Sequence, residues 1–239
     1  PDAPLTIGAR ANTLDGLGAV DEAWAARVLE ALDPGRRAVP GAQDGVANEL
    51  LNRPYVGVDT GGLVAAGGTG ELGRQLLLGS GTVTEHTGRI PVRSTYALDD
   101  TVSPESLPVL VGAGAESLLV SRSRLDLGAA DDLDEQDVVT TPMSVRGGEG
   151  MQVLAYDEDL PGVLTAPGVD AGMRAHHTTS ILMSSWFDAR ADGVARRRAA
   201  AIVLPSSTDP EVLETLTPVL TAPGGPLVAN PSGNALTAP

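Results

Sequence analysis

The stretch STYALDDTVSPESLPVLVGAGAESLLV, residues 94–120, decides the fold class. Ser94 to Leu98 reads as a strand that ends in Asp99-Asp100. Ser103 with Pro104 reads as the cap and first turn of a helix, because a serine oxygen accepts an early backbone N–H and proline needs none there. That helix ends near Gly112 to Gly114, and Glu116 to Val120 is a second strand ending at Ser121-Arg122. Strand, helix and strand within some thirty residues make a crossover unit with parallel strands.

The same alternation extends in both directions. Leu5 to Ala9 reads as a first strand and Asp21 to Leu32 as a helix with Trp24, Val28, Leu29 and Leu32 on one face. Pro54 to Val58 reads as a strand ending at Asp59, and Leu72 to Leu78 as helical between glycines. Beyond the central unit, Leu125 to Gln136 is an acidic exposed loop. Val138 to Thr141 and Gln152 to Tyr156 form a hairpin around Gly147-Gly148. Val169 to Asp188 is a long helix, Ala200 to Leu204 an apolar strand, and Thr208 or Asp209 to Leu220 a helix. Leu227 to Ala229 is a last strand. Short apolar strands alternating with helices predict an α/β fold with a parallel sheet buried on both faces. One domain is expected over residues 1–229, with 230–239 as a frayed tail.

Composition excludes much of biochemistry. The chain has 239 residues and a formal net charge of −15, which repels nucleic-acid phosphates and anionic headgroups. Its 16 basic residues are all arginine. The absence of lysine rules out a Schiff base, a phosphate-loop lysine and a Tyr-x-x-x-Lys relay. The absence of cysteine rules out disulfides and thiolate chemistry. The 29 glycines and 18 prolines, about a fifth of the chain, fall below the level of low-complexity disorder. No apolar run reaches the ~20 residues of a membrane span. Residue 1 is proline and no signal peptide is visible, both as expected of a segment excised from a longer protein.

Three features could carry chemistry. Gly68-Thr-Gly-Glu-Leu-Gly73 matches the dinucleotide fingerprint, in which glycines let a pyrophosphate approach a helix N-terminus. It does not open the domain, and no acidic residue follows about twenty positions on for a ribose. The alternative is a glycine-broken pair of helical turns. His176-His177 are adjacent, so they point about 100° apart and cannot chelate one ion from one helix face. His177 shares a stripe with Met173 and Ile181 and is expected to pack, whereas His86 is expected in solvent. Asp99-Asp100 is the sharpest feature. Two carboxylates at a strand end can divide the work of binding and proton transfer, one pKa being raised by the other. They can equally be the polar cap of the following helix. Because parallel strands place their carboxyl ends on one side, Asp59, Asp99 and Asp100 are the candidate pocket residues, with Arg122 as the substrate-binding cation.

The segment from Tyr96 to Val120 resembles the opening motif of NodB-type polysaccharide deacetylases. That resemblance implies Asp99 as catalytic base and Asp100 as metal ligand. The chain departs from it in having no histidine between His86 and His176, where the family places its metal-binding pair. Pro54-Tyr55 with Asp59 and Leu63, the Asp99 segment, Val138-Val-Thr-Thr-Pro142, and the helix leading to Ala201-Ile-Val-Leu-Pro205 follow one another in an order similar to a second family. It is the central domain of an extracytoplasmic, membrane-anchored actinobacterial family of unknown function, encoded beside the lipid II flippase. Together these resemblances imply an irregular TIM-like (β/α) barrel with fewer than eight strands, of deacetylase or glycosidase type.

The expected function is a non-catalytic cell-envelope module that binds glycan, peptidoglycan precursor or an envelope protein. No cofactor, no tightly bound transition metal, no nucleic acid and no membrane span are expected in this segment, with the anchor elsewhere in the parent protein. Calcium on Asp126 to Asp137 lacks the spacing of an EF-hand. The alternatives are an active hydrolase or deacetylase using the strand-end aspartates, and a nucleotide-dependent oxidoreductase resting on the glycine motif alone.

Overall fold

A computed structural model describes residues 6–20, 22–32, 49–97, 103, 105–124, 143–144, 150–191, 199–205 and 207–220. It shows a mixed α/β protein. The chain divides into two compact units, one built mainly on Pro4–Leu118 with Ser144–Gln152, the other on Leu119–Met143 with Val153–Ala229.

In the first unit, β1 (Thr6–Ile7) pairs in parallel with β2 (Glu49–Leu50), Thr6 opposite Glu49 and Ile7 opposite Leu50. Leu51 continues the pairing by a parallel bridge to Val92. Helices α1 (Ala11–Val20), α2 (Glu22–Leu32) and α4 (Thr69–Thr87) close over this edge, and Leu14, Leu17, Ala25, Leu50 and Val83 form their shared core. Between them lies the short α3 (Thr60–Ala65). Helix α4 is far longer than the predicted helical stretch at Leu72 to Leu78, which is about two turns. Its glycines cost helix propensity, but burial of Leu72, Leu76 and Val83 along one face outweighs that cost. Gly88 ends it in the left-handed region at φ 69°.

Strand β3 (Thr95–Ala97), helix α5 (Ser106–Gly112) and strand β4 (Ser117–Ser121) form the crossover unit expected of residues 94–120. The Ser94 carbonyl accepts from both Glu116 N and Ser117 N, so β3 and β4 start together and run the same way. Strand β5 (Met143–Ser144) and strand β6 (Gln152–Tyr156) complete a four-stranded sheet of order β3-β4-β6-β5. Consecutive residues Val153, Leu154 and Ala155 are all buried, the signature of a strand covered on both faces. The described strands close no barrel.

The second unit packs α6 (Leu160–Leu164) and α8 (Pro210–Leu220) against α7 (Ala171–Ala191). Leu164, Ala171, Ala175, Val212 and Leu216 make its main core. Among its described residues and those of the first unit, no helix is long and apolar enough to cross a membrane.

Four expectations are corrected. Pro54 to Val58 is not a strand: its backbone is satisfied by helices, Tyr55 N donating to the Gln75 carbonyl at 3.0 Å and Asn12 N to the Tyr55 carbonyl at 3.1 Å. Ala200 to Leu204 forms no strand either, since Ile202 and Leu204 use their apolar side chains to cover the α7–α8 core without any ladder. Ser103 does not cap α5 with its hydroxyl. Its carbonyl accepts from Ser106 N and Ser106 Oγ, and the helix begins after Glu105. His177 is exposed, because the buried stripe of α7 runs through Ala171, Ala175, Thr178, Leu182 and Ser185, one position round the helix from Met173 and Ile181. The segments 125–142 and 221–239 and the turn at Gly147-Gly148 lie outside the described residues.

Candidate functional site

The cavity that gathers charge lies within the first unit, just past the carboxyl ends of its parallel strands. Arg10 follows β1, Arg53 follows β2, and Tyr96 and Ala97 are the last two residues of β3; all four line a cavity of about 150 Å³ together with Asp59 and Thr60. The floor between the charges is the strap Pro54, Val56, Gly57 and Val58. This is the side of a parallel sheet on which open α/β folds and barrels place their ligands.

The strap is held from below by α4. Gly79 is needed there, since a Cβ at that position would lie 1.9 Å from the Arg53 carbonyl oxygen. From α1, Asp15 completes the anchoring: the Tyr55 hydroxyl donates to Asp15 Oδ2 at 2.7 Å, and His86 Nε2 lies 2.8 Å from Asp15 Oδ1. These bonds hold the Asp15 carboxyl below its usual range, the Tyr55 bond contributing most, and Asp15 in turn raises the Tyr55 phenol. His86, expected in solvent, is therefore a tie between α4 and α1.

Asp59 leaves the strap in an extended conformation and becomes the N-cap of α3. Its Oδ1 accepts Gly62 N–H at 3.0 Å, and a Cβ on Gly62 would meet Asp59 Oδ2 at 2.5 Å, so a side chain there requires the carboxylate to shift. The Arg10 guanidinium lies 3.8 Å from the place a Cβ on Gly57 would occupy, and the Arg53 side chain packs over Gly8. Among the described residues, Asp59, Arg10, Arg53 and Tyr96 thus border this space.

Of the other sequence candidates, only Arg122 is among the described residues. Asp99 and Asp100 lie outside the described residues; in sequence they follow Ala97 of the cavity wall after a single leucine. Arg122 opens a 3₁₀ turn (Arg122–Arg124) after β4, in the second unit. Beside it the Ser121 hydroxyl donates to the Glu158 carboxylate and lies 3.1 Å from Ser123 Oγ. Gln152 N donates to the Glu116 carbonyl at the start of β4 while Glu158 meets Ser121 at its end, so β4 and β6 are parallel. Among the described residues no group of three His, Asp or Glu side chains is placed to hold a metal ion.

Sequence reading missed Arg10, Arg53, Tyr96 and Glu158. The strand-end rule that selected Asp59 and Arg122 would also have selected Arg10, directly after the predicted first strand, and Glu158, after the predicted strand Gln152 to Tyr156. Arg53 carried no such signal, because β2 was not visible in the sequence.

The glycine motif is not a strand–turn–helix. Leu63 to Ala65 belong to α3 and Gly68 is the N-cap of α4, so the motif joins two helices. The first turn of α4 carries Glu71, drawn down to about 2 by Arg74 and Gln75, a negative charge where a pyrophosphate would have to sit.

Fold and cavity together define a mixed α/β protein with a small charged pocket at the carboxyl ends of parallel strands. No protein-family model matches the chain, and no curated protein matches it.

Proposed function

We propose that the chain is a non-catalytic binding module of the cell envelope, extracytoplasmic and part of a membrane-anchored parent, that holds glycan at this cavity on a degenerate carbohydrate-enzyme barrel. The observation that carries this reading is the employment of Asp59. Its carboxylate caps α3 at the edge of a cavity that Arg10 and Arg53 also line, which supports a holding role for this wall. The irregular TIM-like barrel of fewer than eight strands is part of the same proposal. It is supported by the parallel run from β1 through β2, the Leu51–Val92 bridge, and the β3–β4 and β4–β6 pairs. The lack of a histidine pair after Asp99-Asp100, against the deacetylase pattern, favours binding over turnover.

Cosedimentation with purified peptidoglycan, combined with assays for released acetate and new reducing ends, tests the reading. The expected result is sedimentation without product. Product formation that disappears in an Asp99→Asn, Asp100→Asn double variant establishes the hydrolase or deacetylase alternative in its place. Failure to sediment with any glycan, while an envelope protein is bound, moves the ligand to the protein class.

A further inference from the structure

Helix α4 has two faces of unlike character. At about 100° per residue, Leu72, Gln75, Leu76, Gly79, Ser80 and Val83 share the side buried against the first unit. Diametrically opposite stand Gly70, Arg74, Leu77, Leu78, Gly81 and Glu85, all of them exposed. Leu77 is 67% and Leu78 43% exposed, two adjacent leucines in the middle of a 19-residue helix. A cation and an anion flank them, Arg74 a turn before and Glu85 two turns after. We propose that this face pairs with the same face of a second copy of the chain. The two α4 helices run antiparallel, each Leu78 against the other copy's Gly81 and each Arg74 against the other copy's Glu85. The proposal is independent of what the cavity holds.

The charges select both the partner and the direction. Arg74 commits Nε and Nη2 to Glu71, while its Nη1, with two N–H groups, has no partner among the described residues. Glu85 has neither a hydrogen bond nor an ion pair among them. A twofold contact lays one patch on itself, so each group must meet its complement at the position related by the axis. With the axis at the level of Gly79 and Ser80, Arg74 faces Glu85 and Leu78 faces Gly81, each pair occurring twice. A parallel pair would set arginine on arginine and glutamate on glutamate. At Gly81 the space is open, since a Cβ there would meet nothing within 4 Å, and an incoming leucine finds room. A shallow crossing of about 20° keeps the two helices together over the turns that separate Arg74 from Glu85. Exposed ion pairs contribute little, so burial of the leucines carries the affinity and the charges fix the register. One helix per copy is a smaller contact than the ~800 Å² per partner of a standard interface, and the net charge of −15 opposes association. The dimer is accordingly a weak one.

Sedimentation equilibrium of the full chain tests this, at about 0.15 M salt and over roughly 5 to 500 μM protein. The weight-average mass is expected to rise with concentration from 24.3 kDa toward twice that value. Arg74→Glu and Glu85→Arg, both at exposed positions, are each expected to weaken the dimer at least about tenfold, because each sets like charges opposite one another at both ends. Mixed in equal amounts, the two variants are expected to associate about as tightly as the unaltered chain, since every charge then again faces its opposite. Mixing alters neither fold, so that rescue reports the contact alone. Leu78→Glu is expected to leave a monomer at every concentration. An unaltered chain that stays at 24.3 kDa throughout overturns the proposal and leaves the face to a different protein. A dimer that neither charge reversal weakens, or that mixing fails to restore, overturns it equally by placing the contact elsewhere on the molecule.

Discussion

Gly79 shows how much one hydrogen atom can decide. In an exposed stretch of helix, replacing glycine by alanine stabilises by roughly 0.5–1 kcal/mol, because alanine has less backbone freedom to lose. Gly81, two residues on, has open space around its Cβ position, so Gly81→Ala is expected to raise stability by that amount. At Gly79 the added carbon would fall 1.9 Å from the Arg53 carbonyl oxygen, an unyielding backbone atom. Gly79→Ala is expected to cost about 2 kcal/mol or more, since relief requires moving the strap off α4. Urea denaturation of the two variants checks the opposite signs. Two substitutions of equal chemistry on one helix then report whether the strap is seated as described. Because the strap carries Val56 to Asp59 into the cavity, Gly79→Ala should also weaken ligand binding while Gly81→Ala should not.

At the scale of elements, Asp15 joins α1, the strap and α4 through Tyr55 and His86. The pH dependence follows from the two shifts. Asp15 is held below its ordinary value of 3.8, so its share of stability is present above that value and is lost as pH falls through the lower folded one. Tyr55 is held above 10.0, so its share is present below that value and is lost as pH rises through the higher folded one. Spectrophotometric titration of the unaltered chain and of Asp15→Asn should show one tyrosine ionising at a lower pH in the variant.

Elements are also where the sequence was most and least informative. The crossover unit of residues 94–120 was legible because its strands are apolar runs with acidic or glycine punctuation. The helices at Asp21, Val169 and Asp209 were legible because their polar and apolar residues alternate at the helical period. Pro54 to Val58 and Ala200 to Leu204 were misread for one reason: apolar β-branched runs signal burial, and burial can be met by side chains packing on helices without a ladder. The two-residue strand β2 leaves almost no pattern at all, whereas β1 falls within the apolar run Leu5 to Ala9. In the cavity, Asp59 was identified by position, yet its cause was wrong. It stands there as a helix cap and not as the end of a strand. Arg53 was invisible because only the tertiary pairing of β1 with β2 creates its strand end.

For the whole molecule, charge is the dominant property. A net charge of −15 and an isoelectric point near 4.4 mean that the folded chain repels itself at neutral pH. Added salt screens this repulsion over about 10 Å at 0.1 M. Calorimetry in 10 mM and 200 mM sodium chloride should therefore show a higher Tm at the higher salt, by about 2–4 °C for each kcal/mol relieved.

The two compact units are interleaved along the chain, the second interrupted by Ser144–Gln152, which belongs to the first. A polypeptide leaving a ribosome N-terminus first thus presents residues 4–118 before Ser144–Gln152 of the same unit. By then it has also presented residues 119–143 of the other unit. Truncation at any single point between residues 118 and 153 therefore leaves one of the two units without a part of itself.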